Sequence, residues 1–101
     1  MEEYILCSAI HFDDKVNREG QPSGIESGYV VCGHRHHNCF AIAFALKGDT
    51  SCLQNEKEQG FITNTNRFVD RQEARKIAFD AGQLAGRVVQ NNHTLYSEDL
   101  Y

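Results

Sequence analysis

The feature that most constrains the fold is the change of pattern between residues 28 and 48. Residues 28–33, GYVVCG, are short and almost wholly apolar, which predicts a central or covered strand. Gly33 and His34 then turn the chain into a helix predicted from about Arg35 to Lys47. Residues at helical spacing form one face of that helix: His36, Phe40, Ala43, Phe44 and Lys47. Gly48 follows at the position where a glycine commonly ends a helix.

The remaining elements can be placed around this junction between strand and helix. Residues 4–12, YILCSAIHF, are rich in β-branched and aromatic residues and predict a strand. The polar segment 13–27 predicts the connection of a hairpin with residues 28–33. Residues 49–58 predict an exposed connection with at most a helical turn.

A second unit follows from residue 59 onward. GFIT and RFV predict two very short extended pieces around an N-T-N turn, where asparagine tolerates a positive φ. Asp70 predicts an N-cap, with Glu73 three residues later as in a capping box. The helix that begins there should bury Ala74, Ile77, Ala78 and Ala81, and Gly82 should end it. The remainder, from residue 84, should pack along the body or onto a neighbour.

These elements predict an α+β fold in one small domain, residues 1–101. An N-terminal antiparallel β-hairpin should pack against two main helices, with a short hairpin before the second helix. A chain of 101 residues buries about 60–65% of its unfolded surface, so a partner subunit would help it stay folded.

Charge and cysteine content narrow the functional classes. A net charge of −4 argues against DNA or RNA polymers as ligands, because proteins that bind them present a basic field. The first residues carry Glu2 and Glu3 where a signal peptide would need basic residues, and no apolar run is long enough to span a membrane. We therefore expect a cytoplasmic protein without a membrane partner, with its four cysteines as reduced thiols.

The segment that follows the apolar strand contains many potential metal ligands and nucleophiles. Cys32, His34, His36, His37 and Cys39 lie within eight residues. A structural zinc site usually needs two ligand pairs that are well separated in sequence, and no second pair follows, so we predict no metal and no cofactor. Cys39 could contact His36 on one helix face, which leaves catalysis by a Cys/His pair open as an alternative.

Anion binding is the third interpretation of this segment. A helix N-terminus carries unpaired N–H groups and a partial positive charge, and Arg35 could bind a phosphate bidentately there. The histidines are then expected to cap the helix or join the core. A second basic cluster surrounds Arg67 and Arg71, and Arg87 could reach back to either cluster.

Aromatic and acidic residues near the second cluster complete the candidate site. Phe61 and Phe68 flank the N-T-N turn, and one open ring could stack on a purine, which is worth about 1–3 kcal/mol per base. Asp70 could cap the helix or accept a hydrogen bond from a ribose hydroxyl.

Three stretches taken together resemble a known family: VVCGHRHHNCF, EQGFITNTNRFVDRQEARKIAFDAGQ and LYSEDLY. The family consists of small phage and prophage proteins and includes the first class of Thoeris anti-defence proteins. The resemblance covers most of the chain outside residues 13–26 and 49–58.

The resemblance implies a sponge and not an enzyme. Such proteins bind cyclic ADP-ribose isomers made by bacterial TIR-domain enzymes and hold them intact in the host cytosol, so that the effector is not activated. It also implies a homo-oligomer, a dimer or a hexamer, with ligand between protomers, and cyclic di- or trinucleotides as further ligands. The ligand-binding positions carried onto this sequence are Arg35, Phe61, Arg67, Asp70, Arg71 and Arg87. The alternatives are an enzyme that cleaves such nucleotides and a protein that inhibits a host factor by binding it.

Overall fold

The computed structural model describes residues 2–84. Strand β1 spans Ile5–Phe12, β2 spans Tyr29–Gly33, helix α1 spans His36–Lys47, a 3-10 turn spans Ser51–Asn55, β3 spans Glu56–Thr63, β4 spans Phe68–Asp70 and helix α2 spans Arg71–Asp80. The four strands form one antiparallel sheet in the order β2-β1-β3-β4. This arrangement confirms the predicted α+β fold, including the N-terminal hairpin β1–β2 and the short hairpin before α2.

Both helices cover the same face of the sheet. Ile10 and Phe12 of β1 form one buried cluster with Cys39 and Ala43 of α1. A second cluster joins Ile5, Phe61 and Val69 to Ala74 and Ala78 of α2. Because the helix residues in these clusters are small, each helix can lie close to the strands beneath it.

The loop between β1 and β2 folds over the other face of the sheet. The His11 ring lies edge-on to Phe68, with centroids 6.0 Å apart, and its Nε2 is 2.8 Å from the Ser27 carbonyl oxygen. Ser23 forms a bridge with Arg67 beside β4. The loop returns through Gly28, whose φ of 86° places a would-be Cβ against the Phe12 carbonyl oxygen, so only glycine fits there.

Strand β3 is longer than the sequence predicted. It begins at Glu56 and not at Gly60, and its first half pairs with the end of β1 through Ile10↔Gln59 and His11↔Glu58. Residues 56–58 are all polar and exposed, so they lack the alternation of apolar and polar residues that predicts a strand. Only their backbone pairing with β1 identifies them as part of β3.

The predicted turn and helix-end signals are confirmed. Gly48 has φ of 80° and its N–H donates to the Phe44 carbonyl at 2.8 Å, while Gly82 has φ of 76° one residue after the cap of α2. Asn66 in the N-T-N turn has φ of 58°. Between residues 2 and 84 no helix is long and apolar enough to cross a membrane. The predicted packing of the C-terminal segment concerns residues outside the described part.

Candidate functional site

The first residues of the two helices are in contact with one another. His36 begins α1 and Arg71 begins α2, and Arg71 Nη2 lies 3.4 Å from His36 Nδ1. Gln59 of β3 joins them, since its Oε1 accepts a hydrogen bond from Arg71 Nη2 at 2.9 Å. We call the group formed by Arg35, His36, Gln59 and Arg71 the helix-start junction.

His36 is the buried centre of the junction. Its side chain Nε2 lies 2.9 Å from the Gly60 carbonyl oxygen, which can only accept, so Nε2 carries the proton. Nδ1 of the neutral ring is then the acceptor that faces Arg71. The ring also meets Phe61 edge-on at 5.2 Å. His36 therefore belongs to the core, as the sequence analysis expected, and it also orients the Arg71 guanidinium.

Arg35 occupies the N-cap position of α1. Its backbone is extended, with φ of −131° and ψ of 167°, and its N–H donates to Asn38 Oδ1 at 3.1 Å. Its carbonyl accepts from the N–H groups of Asn38 and Cys39. The half-buried Arg35 side chain therefore leaves from the positive end of the α1 dipole.

Asp70 caps α2, as predicted. Its exposed carboxylate accepts a hydrogen bond from the Glu73 N–H at 2.7 Å. The second half of the predicted capping box does not form, because the Glu73 carboxylate instead contacts Arg67 at 2.6 Å. A charged guanidinium is a stronger partner for a carboxylate than a backbone amide is.

Arg67 is held in an ion-pair cluster with Glu3 and Glu73. Its Nε and Nη2 both bind the Glu3 carboxylate, at 3.1 and 2.7 Å, and its Nη1 binds Glu73. These contacts hold the pKa of Glu3 down at about 2 and raise the pKa of Arg67. Contact between Arg67 and a phosphate would require these bonds to two carboxylates to be exchanged, and the binding role of Arg67 stays a prediction.

Phe61 lies in the core beneath the helices. Its ring is fully buried, with 0% of the residue exposed, between His36 and the small residues of α2. In this structure the ring has no face open to a base, and a binding role for Phe61 stays a prediction. Phe68, the other ring beside the turn, is partly buried and covers Gly60 and His11 on the opposite face. The two rings lie on opposite faces because side chains alternate along each strand. Phe61 points to the face that the helices cover, where its register partners Ser8 and Val69 are also buried.

The environment of Cys39 does not suit a nucleophile. The residue is fully buried, and its Sγ lies 3.6 Å from the Ser8 carbonyl oxygen and 3.5 Å from that of Arg35. Burial raises the pKa of its thiol to about 12, so the thiolate is scarce at neutral pH. Among residues 2–84, no group of three Cys, His, Asp or Glu side chains is arranged to hold a metal ion.

The sequence does not reveal Gln59 as a member of the junction, nor the Gly60 carbonyl as the partner of His36. Had β3 been predicted from residue 56, alternation would have put Gln59 on the same face as Phe61, beneath the helices. Arg87 lies outside the described residues, so its proposed contact stays a prediction.

Comparison with known proteins gives one match. The chain matches a family model described as "Phage T4 y16D protein" over residues 4–101. Searches of curated proteins and of solved structures found no match. Since the family model spans nearly the whole sequence, including both helix starts, the chain belongs to this phage protein family.

Proposed function

We propose that this phage protein binds a small cyclic nucleotide through its phosphates at the helix-start junction and holds it without cleaving it. The favoured ligands are cyclic ADP-ribose isomers, with cyclic di- or trinucleotides as further ligands. Sequestering such an immune signal in the host cytosol would keep the effector inactive. The family match supports a phage protein. The resemblance of residues 30–40, 58–83 and 95–101 to Thoeris anti-defence proteins supports the particular ligand.

The observation that carries the proposal is the contact between two helix starts. The N-terminus of α1 carries a partial positive charge and has no acidic residue in its first turn, which favours phosphate. The N-terminus of α2 is capped by Asp70, so its contribution to the site is the Arg71 side chain. Arg71 adds a guanidinium whose orientation is fixed by His36 and Gln59. A donor held in place before binding loses less conformational freedom when the ligand arrives.

Sequestration is favoured over cleavage by the state of the nearest nucleophile. Cys39 is the cysteine at the start of α1, and it is buried with a raised pKa. His36 is engaged at Nε2 by a backbone carbonyl, so it is a poor general acid or base.

The proposed assembly is a homo-oligomer, a dimer or a hexamer, with ligand shared between protomers. The small size of the chain supports this part of the proposal, because a domain of 101 residues gains buried surface from a partner subunit.

The proposal is tested by binding and recovery. Incubate the protein with a cyclic ADP-ribose isomer, measure affinity by calorimetry, then heat-denature it and identify the released nucleotide by mass. We expect binding and an unchanged ligand. A cleaved product would refute sequestration, and the absence of binding by every cyclic nucleotide tried would refute the function. If no cyclic nucleotide binds but a stable complex with a host protein is found, the protein would instead be an inhibitor of that host protein.

Two variants of α2 locate the site. Arg71→Ala removes the oriented guanidinium, and we expect affinity to fall roughly 10- to 100-fold, the worth of one or two charge-assisted hydrogen bonds. Lys76→Ala removes the same charge from an exposed position on the same helix and should leave affinity within about twofold. Equal effects of the two changes would mean that only overall charge matters.

A further inference from the structure

A pair of cysteines lies on the face of the sheet opposite the helices. Cys32 of β2 is paired with Ala9 of β1, and Cys7 lies two residues before Ala9. Residues two apart on a strand point to the same face, so Cys7 and Cys32 are diagonal neighbours across two adjacent strands. The irregularity between Ile5 and Cys7 keeps Ile5 in the core while Cys7 faces away from it.

The two thiols of this pair are close enough to affect each other's ionisation. The Cys7 thiol lowers the pKa of Cys32 to about 7, whereas Cys32 and burial raise the pKa of Cys7. Among the described residues Cys39 also acts on Cys7, and burial raises the pKa of Cys39 so that it stays neutral.

Accessibility separates these cysteines from the other two. Cys32 is exposed and Cys7 is partly buried, whereas Cys39 and Cys52 are both in the core. All four are thiols. An exposed thiolate beside a second thiol is the arrangement that reacts with electrophiles and oxidants, because the thiolate is the attacking form.

We propose that Cys32 is a modification site of this protein, attacked first by small electrophiles or hydroperoxides, with Cys7 as the thiol that resolves its oxidised form. The Cys32 thiolate displaces hydroxide from hydrogen peroxide and becomes a sulfenic acid. The Cys7 sulfur then attacks the Cys32 sulfur, water leaves, and a Cys7–Cys32 disulfide remains. The peroxide is reduced to water, and the two thiols are oxidised by two electrons in total.

The activation of Cys32 by its neighbour Cys7 is tested by alkylation of the full-length protein with iodoacetamide over a pH series, with each cysteine followed by peptide mass spectrometry. We expect Cys32 to be labelled first, because it is the exposed thiol, with a rate midpoint near pH 7. Cys7→Ala removes the neighbouring thiol and should move that midpoint toward about 8.5, the ordinary value for a thiol. Cys7→Ser keeps a hydroxyl donor and should stay closer to the native protein. Equal midpoints for the native protein and Cys7→Ala would overturn the proposed activation of Cys32.

The resolving step is tested with hydrogen peroxide on the same proteins. Native protein should lose about 2 Da and yield a Cys7–Cys32 linked peptide. Cys7→Ser should instead stop at a Cys32 sulfenic acid that a dione reagent traps. A trapped sulfenic acid in the native protein with no linked peptide would overturn the role of Cys7. Circular dichroism of each variant checks that its fold is retained.

Discussion

Replacing Glu3 by Gln tests whether the ion-pair cluster around Arg67 stabilises the fold. The Glu3 carboxylate accepts four hydrogen bonds. Their donors are Thr63 Oγ1 at 2.8 Å, Thr65 Oγ1 at 2.7 Å, Arg67 Nε at 3.1 Å and Arg67 Nη2 at 2.7 Å. These bonds attach the segment before β1 to the turn between β3 and β4. The side-chain amide of Gln cannot replace the carboxylate, because its NH₂ group would face one of these Thr or Arg donors in place of an acceptor oxygen.

The pKa of Glu3 sets an upper limit on the effect. Lowering it from 4.5 to about 2 corresponds to at most about 3.4 kcal/mol. The side chains of Glu3 and Arg67 are 24% and 35% exposed, so solvent screening reduces this to about 1–2 kcal/mol. For a chain of this size, that loss lowers Tm by about 5–12 °C.

The sign of the pH dependence follows from the lowered pKa. The folded state binds the Glu3 proton more weakly than the unfolded state, so the contribution is present in full above about pH 4.5 and is lost as pH falls toward 2. Urea denaturation of native protein and Glu3→Gln should therefore give curves that differ at pH 6 and converge near pH 2.

Glu2→Gln is the matched control, since it removes the same charge from the neighbouring exposed residue. It should change stability by less than about 0.5 kcal/mol. An equal loss in both variants, or a difference for Glu3→Gln that persists at pH 2, would refute the reasoning.

Three further substitutions test the packing around the junction, each by urea denaturation at neutral pH. Gly60→Ala would place a Cβ against the backbone of β4 and 2.9 Å from the Phe68 ring, so we expect the free energy of unfolding to fall by about 1–3 kcal/mol. An unchanged value would contradict the close packing of β3 against β4. Asp70→Ala removes the cap of α2 and should cost about 1 kcal/mol, whereas Asp70→Asn should restore most of it; equal costs would argue that charge and not capping matters. His36→Phe preserves an aromatic ring but removes the hydrogen bond from His36 to the buried Gly60 carbonyl. We expect the free energy of unfolding to fall by about 1–3 kcal/mol and ligand binding to weaken. Unchanged stability would contradict the assigned hydrogen bond.

Local signals in the sequence were enough to place the helices. Gly48, Asp70 and Gly82 act through their own backbone conformation or through a bond to a residue three positions away, so a short window contains the necessary information. The first half of β3 was missed because its pairing partner, β1, lies more than 40 residues earlier.

The contrast between local signals and contacts with distant residues also applies to the candidate site. Arg35 and Arg71 could be chosen from the sequence because each adjoins the first turn of a helix. Arg67 could not be assigned from its neighbours, since its main partner, Glu3, is 64 residues away in the sequence. The burial of Phe61 depends on which face of β3 meets the helices, and that face follows from the register of the whole sheet.

Gly60 has a consequence for the order in which this protein forms during synthesis. Its carbonyl accepts from His36 at the start of α1, and its register partner is Asp70 at the start of α2. Until residue 60 has left the ribosome, the buried His36 donor lacks its acceptor, and until residue 70 follows, the second helix has no cap. A nascent chain truncated before Gly60 should therefore bind no ligand at the junction, however well α1 alone has formed.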